Sequence, residues 1–140
     1  MTASVLNTLP HRHVLTLPTG PGAVRLARET AEQALAEWGI GECHPAVGPA
    51  LLILSELVAN SVRHAAEVSP RITVIYAAGP ECLVFAVHDS HPHRPRLFGP
   101  DAGHGGLATV VELTHALGGT AVVRGDADGR GKSVWITLPL

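Results

Sequence analysis

Three stretches of this chain carry apolar residues at the spacing of an amphipathic helix. Apolar side chains that recur every three or four positions line one face of a helix, and glycine commonly marks its end. The second stretch is the least polar of the three. The predicted helices are residues 24–38, which end before Gly39, a segment that begins after Pro45 and ends at Ala65, and residues 107–117, which end at Gly118.

Five shorter stretches have the composition and alternation of β-strands. The first stops at Pro18, which suits an edge strand because proline lacks the N–H that a central ladder needs. Only residues 78–81 separate the second strand from the third, so these two predict an antiparallel hairpin. The five predicted strands are residues 13–17, 71–77, 83–87, 120–124 and 133–138.

The order of these elements predicts an α/β fold of the α+β two-layer sandwich type. The sheet would be mixed but mainly antiparallel, and the helices would cover one of its faces. The length suits a single domain over residues 1–140, with a flexible N-terminus over about residues 1–10. Residues 90–106 lack an apolar period and are rich in proline and glycine, which predicts a long irregular loop.

Composition and charge narrow the class of function. Apolar residues make up 46% of the chain, and the formal net charge of −2 with a single lysine, Lys132, provides no basic surface for nucleic acid. No apolar run approaches the roughly 20 residues that span a bilayer, and residues 1–13 do not resemble a secretion leader. We therefore expect a cytoplasmic protein that binds no membrane. Cys43 and Cys82 are far apart and are expected to be buried thiols.

Two polar residues interrupt the apolar second helix at a spacing that places them together. Glu56 and Asn60 are four residues apart, so they project from the same face one turn apart, and His64 follows after another turn. A buried carboxylate or amide needs a partner such as a metal ion, water or substrate. The alternative is that this face of the helix is exposed to solvent.

Two further features have the chemistry to hold a ligand. Asp89 follows the third predicted strand, where its carboxylate could accept a hydrogen bond from a ligand amine or could cap a turn. Gly103, Gly105 and Gly106 lead directly into the third helix, whose first backbone N–H groups can receive a phosphate. Such a glycine-rich segment is also typical of an ordinary turn.

Three other chemistries lack support. Residues 129–133 resemble a P-loop in part, but Asp126 stands where its first glycine is required, and a strand follows instead of a helix. His88, His91 and His93 lie around a proline in a loop and offer no rigid metal geometry. Neither cysteine has the local signature of a catalytic nucleophile.

Four segments, taken in their order along the chain, resemble the N, G1, G2 and final boxes of the GHKL ATPase/kinase superfamily. They are Ser-Glu-Leu-Val-Ala-Asn-Ser-Val-Arg-His-Ala at 55–65, Asp89, the glycines before the third helix, and Gly-Lys-Ser-Val-Trp at 131–135. The pattern is especially similar to that of small bacterial anti-sigma factors that are also serine-protein kinases. The likeness extends from the first strand to Leu138 and implies a Bergerat-type ATP-binding fold.

The resemblance implies ATP and Mg²⁺ as cofactors and assigns roles to four side chains. Asn60 would hold the Mg²⁺ ion that bridges the ATP phosphates, and Glu56 would be the general base. Asp89 would recognise the adenine amine, and Ser133 would be the small hydroxyl residue near adenine. These roles follow from the family pattern, and the spacing of the residues alone does not establish them.

The resemblance also explains the long loop and its glycines. Residues 90–106 would form the ATP lid, and Gly103, Gly105 and Gly106 would cradle phosphate beside it. Two features depart from the family pattern. His91 stands where the G1 box has a glycine, and the G2 segment is short, and either departure would lower the affinity for ATP.

The implied function is that of an ATP-binding regulatory protein. It would be an anti-sigma factor that phosphorylates a serine of an anti-sigma-factor antagonist, so its partners would be that antagonist and a sigma factor. The resemblance further implies that a homodimer can form. Two alternatives stay open: a non-catalytic nucleotide- or protein-binding module that sequesters its partner, and ATP hydrolysis without a protein substrate.

Overall fold

All eight predicted elements occur in the structure, a computed structural model that describes residues 6, 8–92 and 106–140. Each predicted boundary lies within about two residues of the observed one, because glycine and proline end the periodic patterns locally. The strands are β1 (His11–Pro18), β2 (Arg71–Ala78), β3 (Cys82–Asp89), β4 (Thr120–Gly125) and β5 (Lys132–Pro139); the helices are α1 (Ala23–Glu37), α2 (Val47–Ala65) and α3 (Gly106–Ala116).

The strands form one five-stranded sheet in the order β1-β2-β3-β5-β4. The predicted α/β fold and the predicted edge position of β1 are confirmed. The expected mixed sheet is wrong, because all four ladders between the described strands are antiparallel. Helices α1 and α2 connect β1 to β2 and return the chain to the end of the sheet that it left. Strand β2 therefore begins beside the end of β1, where Pro18 pairs with Arg71. A single crossover helix there would have produced a parallel pair.

Helix α2 packs against both α1 and α3, and together the helices cover one face of the sheet. Side chains that alternate along each strand point to this face, including Val74, Phe85 and Ile136, and they pack with Ile53 and Leu57 of α2. These five side chains are almost fully buried. The apolar stripe of α2 therefore determines which of its polar residues lie at the margin of the core.

A buried tyrosine connects α1 to the sheet. The Tyr76 hydroxyl donates a hydrogen bond of 2.7 Å to the carbonyl of Ala27, and its ring meets Phe85 edge to face. Burial raises the pKa of Tyr76 well above its ordinary value, because the phenolate would lose its hydration. The hydroxyl thus stays neutral and remains a donor to α1 under ordinary conditions.

The opposite face of the sheet carries a smaller apolar cluster. Leu6 is 5% exposed and packs with Ala77 and Val84, next to the partly buried Trp135. Part of the predicted flexible N-terminus therefore contacts the sheet, whereas residues 1–5 and 7 lie outside the described residues. No helix in the described ranges is long and apolar enough to cross a bilayer.

The two cysteines depart from expectation. Cys43 is exposed and Cys82 is partly buried, so the prediction of two buried thiols is wrong. Cys43 lies in the polar connection between α1 and α2, and Cys82 opens β3 on the sheet face that the helices leave uncovered. Neither position belongs to the helix-covered core.

Candidate functional site

The register between β3 and β5 places a carboxylate and an ammonium group side by side. Asp89 is the last residue of β3 and pairs directly with Lys132, the first residue of β5. Directly opposed residues in antiparallel strands point to the same face. Asp89 alternates with Phe85 and Val87, so this shared face is the one that the helices cover.

Protein groups engage both carboxylate oxygens of Asp89. Its Oδ1 lies 2.7 Å from Lys132 Nζ and accepts the backbone N–H of His91 at 3.0 Å. Its Oδ2 accepts the hydroxyl of Ser61 at 2.7 Å. The side chains of Asp89 and Lys132 are only 2% and 7% exposed. Asp89 therefore combines a local turn contact, to His91, with two contacts to distant elements.

Lys132 is a residue of the candidate site that the sequence interpretation did not assign to it. Its ammonium group contacts Asp89 and, at 3.4 Å, the carbonyl of His91. Lysine is almost never fully buried unless it is paired. The sequence offered one partial signal, because the only lysine of the chain alternates with the apolar Val134 and Ile136. That alternation indicates the buried face of β5 but does not indicate the partner of the lysine.

Ser133, which the family pattern placed near adenine, lies elsewhere. It pairs with His88 on β3 and Arg124 on β4, and successive residues of a strand point to opposite faces. Ser133 therefore belongs to the face that the helices do not cover. The structure does not bring it together with Asp89, and Lys132 stands at the position beside the carboxylate.

Helix α2 reaches the Asp89 site through Ser61. The hydrogen bond from Ser61 joins the buried side of α2 to the end of β3. Asn60 is the next residue along the helix and Glu56 lies one turn earlier, and both side chains are half-buried. The helix side that bears them is thus neither core nor fully solvent-exposed, whereas His64 one turn further on is exposed.

The glycines of the predicted phosphate cradle lie largely beyond the described residues. Gly103 and Gly105 fall in the range 93–105, as does most of the predicted lid at 90–106. Gly106 is the first residue of α3. Of the lid, the described part includes His91, whose backbone N–H and carbonyl contact Asp89 and Lys132.

Gly131 holds the start of β5 close to the end of β3. A Cβ atom at this position would lie 2.7 Å from the carbonyl oxygen of Asp89 and 2.5 Å from Asp126 Oδ2. The same Asp126 oxygen contacts His88 Nε2 at 2.8 Å, so it is not free to move aside. Glycine is required here for close approach of the two strands, which in turn positions Lys132.

The Gly131→Ala substitution should therefore lower the free energy of unfolding by about 1–3 kcal/mol, the usual cost of forcing a methyl group into a packed site. Urea denaturation followed by far-UV circular dichroism measures this change. Gly48→Ala is the matched control, because Gly48 lies in α2 and a Cβ there meets no atom within 4 Å. Equal midpoints for the two variants would contradict the close approach at Gly131.

Comparisons with known proteins identify the family of this chain. Residues 48–140 match the family described as histidine kinase-, DNA gyrase B- and HSP90-like ATPases. This range contains Glu56, Asn60, Asp89 and Lys132. No curated protein matches the chain in sequence.

Solved structures share the fold at low sequence identity. The histidine kinase domain of the blue-light activated kinase EL346 from Erythrobacter litoralis is 23% identical with a TM-score of 0.56, and the alignment covers 89% of this chain and 62% of that one. The mycobacterial sensor histidine kinase MprB is 18% identical with a TM-score of 0.51, covering 89% and 97% of the two chains. Full-length ShkA in complex with AMPPNP is 24% identical with a TM-score of 0.55, covering 91% of this chain and 31% of its own.

These alignments leave part of the longer proteins unmatched, since the chain spans only 62% of the first and 31% of the third. At such identities the likeness concerns the fold alone. The family match extends over most of the chain and includes α2, the end of β3 and the start of β5. The chain belongs to the family of histidine kinase-, DNA gyrase B- and HSP90-like ATPases.

Proposed function

We propose that this chain is an ATP-binding regulatory protein, an anti-sigma factor that phosphorylates a serine of an anti-sigma-factor antagonist. The observation that carries the proposal is the hydrogen bond from Ser61 to Asp89, which joins the helix bearing Glu56 and Asn60 to the end of β3. Membership of an ATPase family supports nucleotide binding. The serine-kinase activity and the two protein partners rest on the sequence resemblance.

The residues on α2 fit the metal and phosphate end of a nucleotide. Mg²⁺ prefers oxygen ligands and is commonly held by one or two protein groups together with substrate phosphates. The amide oxygen of Asn60 and the carboxylate of Glu56 are both oxygen ligands on half-buried side chains one turn apart. Asn60 would hold the ion, and bound Mg²⁺ would neutralise the phosphate charge.

The Asp89 end fits adenine less well. A carboxylate that recognises an exocyclic amine needs an acceptor oxygen open to the ligand. Both oxygens of Asp89 already accept hydrogen bonds from Lys132, His91 and Ser61. The residues on α2 therefore suit the Mg²⁺ ion and phosphates of ATP better than the Asp89 end suits its base.

Glu56 is the proposed general base. A positioned carboxylate can accept the proton of a serine hydroxyl while the hydroxyl oxygen attacks, and it also orients that oxygen. ATP would supply the γ-phosphoryl group, whose bond to the β–γ bridging oxygen would break as the bond to the serine oxygen forms, and ADP would leave. Glu56 would hold the transferred proton until it passes to solvent, which its half-buried position permits.

The ion pair at Asp89 favours a second candidate function. If Lys132 prevents the nucleotide from binding, the chain is a binding module that sequesters a sigma factor stoichiometrically and transfers no phosphate. Both candidates bind a sigma factor, and only the kinase also acts on the antagonist. They differ in whether a nucleotide is consumed.

Two measurements distinguish these functions. Calorimetric titration with ATP and Mg²⁺ tests binding, and incubation with candidate antagonist proteins followed by mass spectrometry tests for phosphoserine. Binding and transfer together support the kinase. Partner binding without phosphoserine would overturn it in favour of the binding module, and release of inorganic phosphate without phosphoserine would indicate ATP hydrolysis alone.

Size-exclusion chromatography of the same sample tests the expected homodimer.

The Asn60→Ala substitution should remove most of the Mg²⁺-dependent part of ATP affinity, because the amide oxygen is the proposed metal ligand. Titrations with and without Mg²⁺ isolate that part. Glu67→Ala is the control, since Glu67 is exposed just beyond the end of α2. An unchanged dependence on Mg²⁺ in the Asn60 variant would remove this residue from the metal site.

A further inference from the structure

The single lysine of this chain forms an ion pair with Asp89, the carboxylate that the family pattern assigns to the recognition of adenine. Lys132 Nζ lies 2.7 Å from Asp89 Oδ1, and the two side chains are 7% and 2% exposed. The second oxygen of Asp89 accepts the hydroxyl of Ser61 at 2.7 Å. An ammonium group therefore stands where an incoming amine would have to donate its hydrogen.

An amine of a nucleobase is a weaker competitor for this oxygen. An ammonium group and a neutral amine would both form charge-assisted hydrogen bonds with the carboxylate, but only the ammonium group carries a full opposite charge and adds coulombic attraction. Lys132 also contacts the carbonyl of His91 at 3.4 Å, so displacing its side chain would cost that contact as well. A neutral amine cannot compensate for separating two buried opposite charges.

The backbone holds Lys132 in this position. It pairs with Asp89 on one side and with Gly125 on the other, so the residue lies within the ladders of β5. Gly131 permits the close approach of β5 to β3 immediately before it. Lys132 can leave Asp89 only by rotating its side chain out of a buried environment.

We infer that Lys132 is a specificity-determining residue that substitutes for the ligand's amine at Asp89, so that the site binds purine nucleoside triphosphates without reading their 6-amino group. The inference rests on the proposed function, because it concerns the base end of the same nucleotide site. Affinity then comes from the phosphate and metal end near Asn60. A base with hydrogen at position 6 binds as well as adenine.

The wild-type protein provides the first test. Calorimetry with Mg²⁺ should give dissociation constants within about threefold for ATP and for purine riboside triphosphate, which lacks the 6-amino group. Discrimination in favour of ATP by more than tenfold in the wild type would overturn the inference and leave the proposed nucleotide binding intact. Absence of binding by either triphosphate to wild type and variants would overturn both.

The Lys132→Thr variant provides the second test. Without the ammonium group, Oδ1 of Asp89 keeps the N–H of His91 but can accept a further hydrogen bond, so the variant should bind ATP roughly 10- to 100-fold more tightly than the analogue, as expected for a hydrogen bond to a charged acceptor. Lys132→Arg should bind ATP and the analogue with similar affinity, as the wild type does, because the guanidinium group retains the positive charge. Arg124→Thr is the charge-matched control, since Arg124 is exposed on β4. If Lys132→Thr still binds ATP and the analogue with equal affinity, Lys132 does not determine base recognition.

Discussion

Replacing Glu56 by glutamine should slow phosphoserine formation by about 10²–10⁴-fold, the usual loss when a general base is removed. Glutamine keeps the shape of the side chain and its oxygen, but its neutral amide cannot take the proton of the serine hydroxyl. The position of Glu56 one helical turn before Asn60 is the structural reason to expect this effect. Calorimetry should show ATP and partner affinities close to those of the wild type.

The rate is measured by mass spectrometry of the antagonist after timed incubation with ATP. Glu37→Gln is the matched control, because Glu37 is an exposed glutamate at the end of α1. Undiminished transfer by the Glu56 variant would exclude the general-base role. Loss of transfer together with loss of ATP binding would assign Glu56 to nucleotide binding instead.

Separating the buried ion pair should have the largest effect on stability. Asp89→Asn leaves the Lys132 ammonium buried beside a neutral amide, and removing one partner of a buried pair typically costs about 3–5 kcal/mol. Asp89 also loses its charge toward Ser61 and the backbone of His91. The free energy of unfolding, obtained by urea denaturation, should fall by this amount, with a decrease in Tm on the order of 10 °C.

A double variant tests whether the pair itself is responsible. Asp89→Asn combined with Lys132→Met removes both charges, so it should recover much of the loss of either single variant. Glu29→Gln is the control, because Arg25 and Glu29 form a pair of similar length, 2.8 Å, on the exposed surface of α1. That control should leave the urea midpoint nearly unchanged. Additive losses in the double variant would contradict a direct interaction between Asp89 and Lys132.

The elements of this fold were predictable because their signals are local. Helix α2 carries an apolar stripe with a 3.6-residue period, and Gly118, with φ of +77°, ends the region of α3 as its sequence position indicates. The absence of a parallel ladder among the described strands was not predictable. It depends on α1 and α2 returning the chain to the end of the sheet from which it left.

Part of the candidate site was also predictable from local spacing. Residues four apart on a helix share a face whatever the rest of the chain does, so Glu56 and Asn60 were correctly placed on one side of α2. Ser61 was overlooked, although it follows the buried Leu57 and Val58 on the apolar stripe. Its importance comes from Asp89, which lies 28 positions further along the chain.

The order of helices and strands, the shared side of Glu56 and Asn60, and the position of Asp89 at the end of β3 follow from the sequence, because each depends on neighbours within a few residues. The choice between Lys132 and Ser133 as the residue beside Asp89 depends instead on how distant strands pair. Side chains alternate between the two faces of a strand, so a shift of one residue moves a side chain to the opposite face. The pairing of β3 with β5 joins segments 43 positions apart, and it turns Lys132 toward the carboxylate and Ser133 away from it.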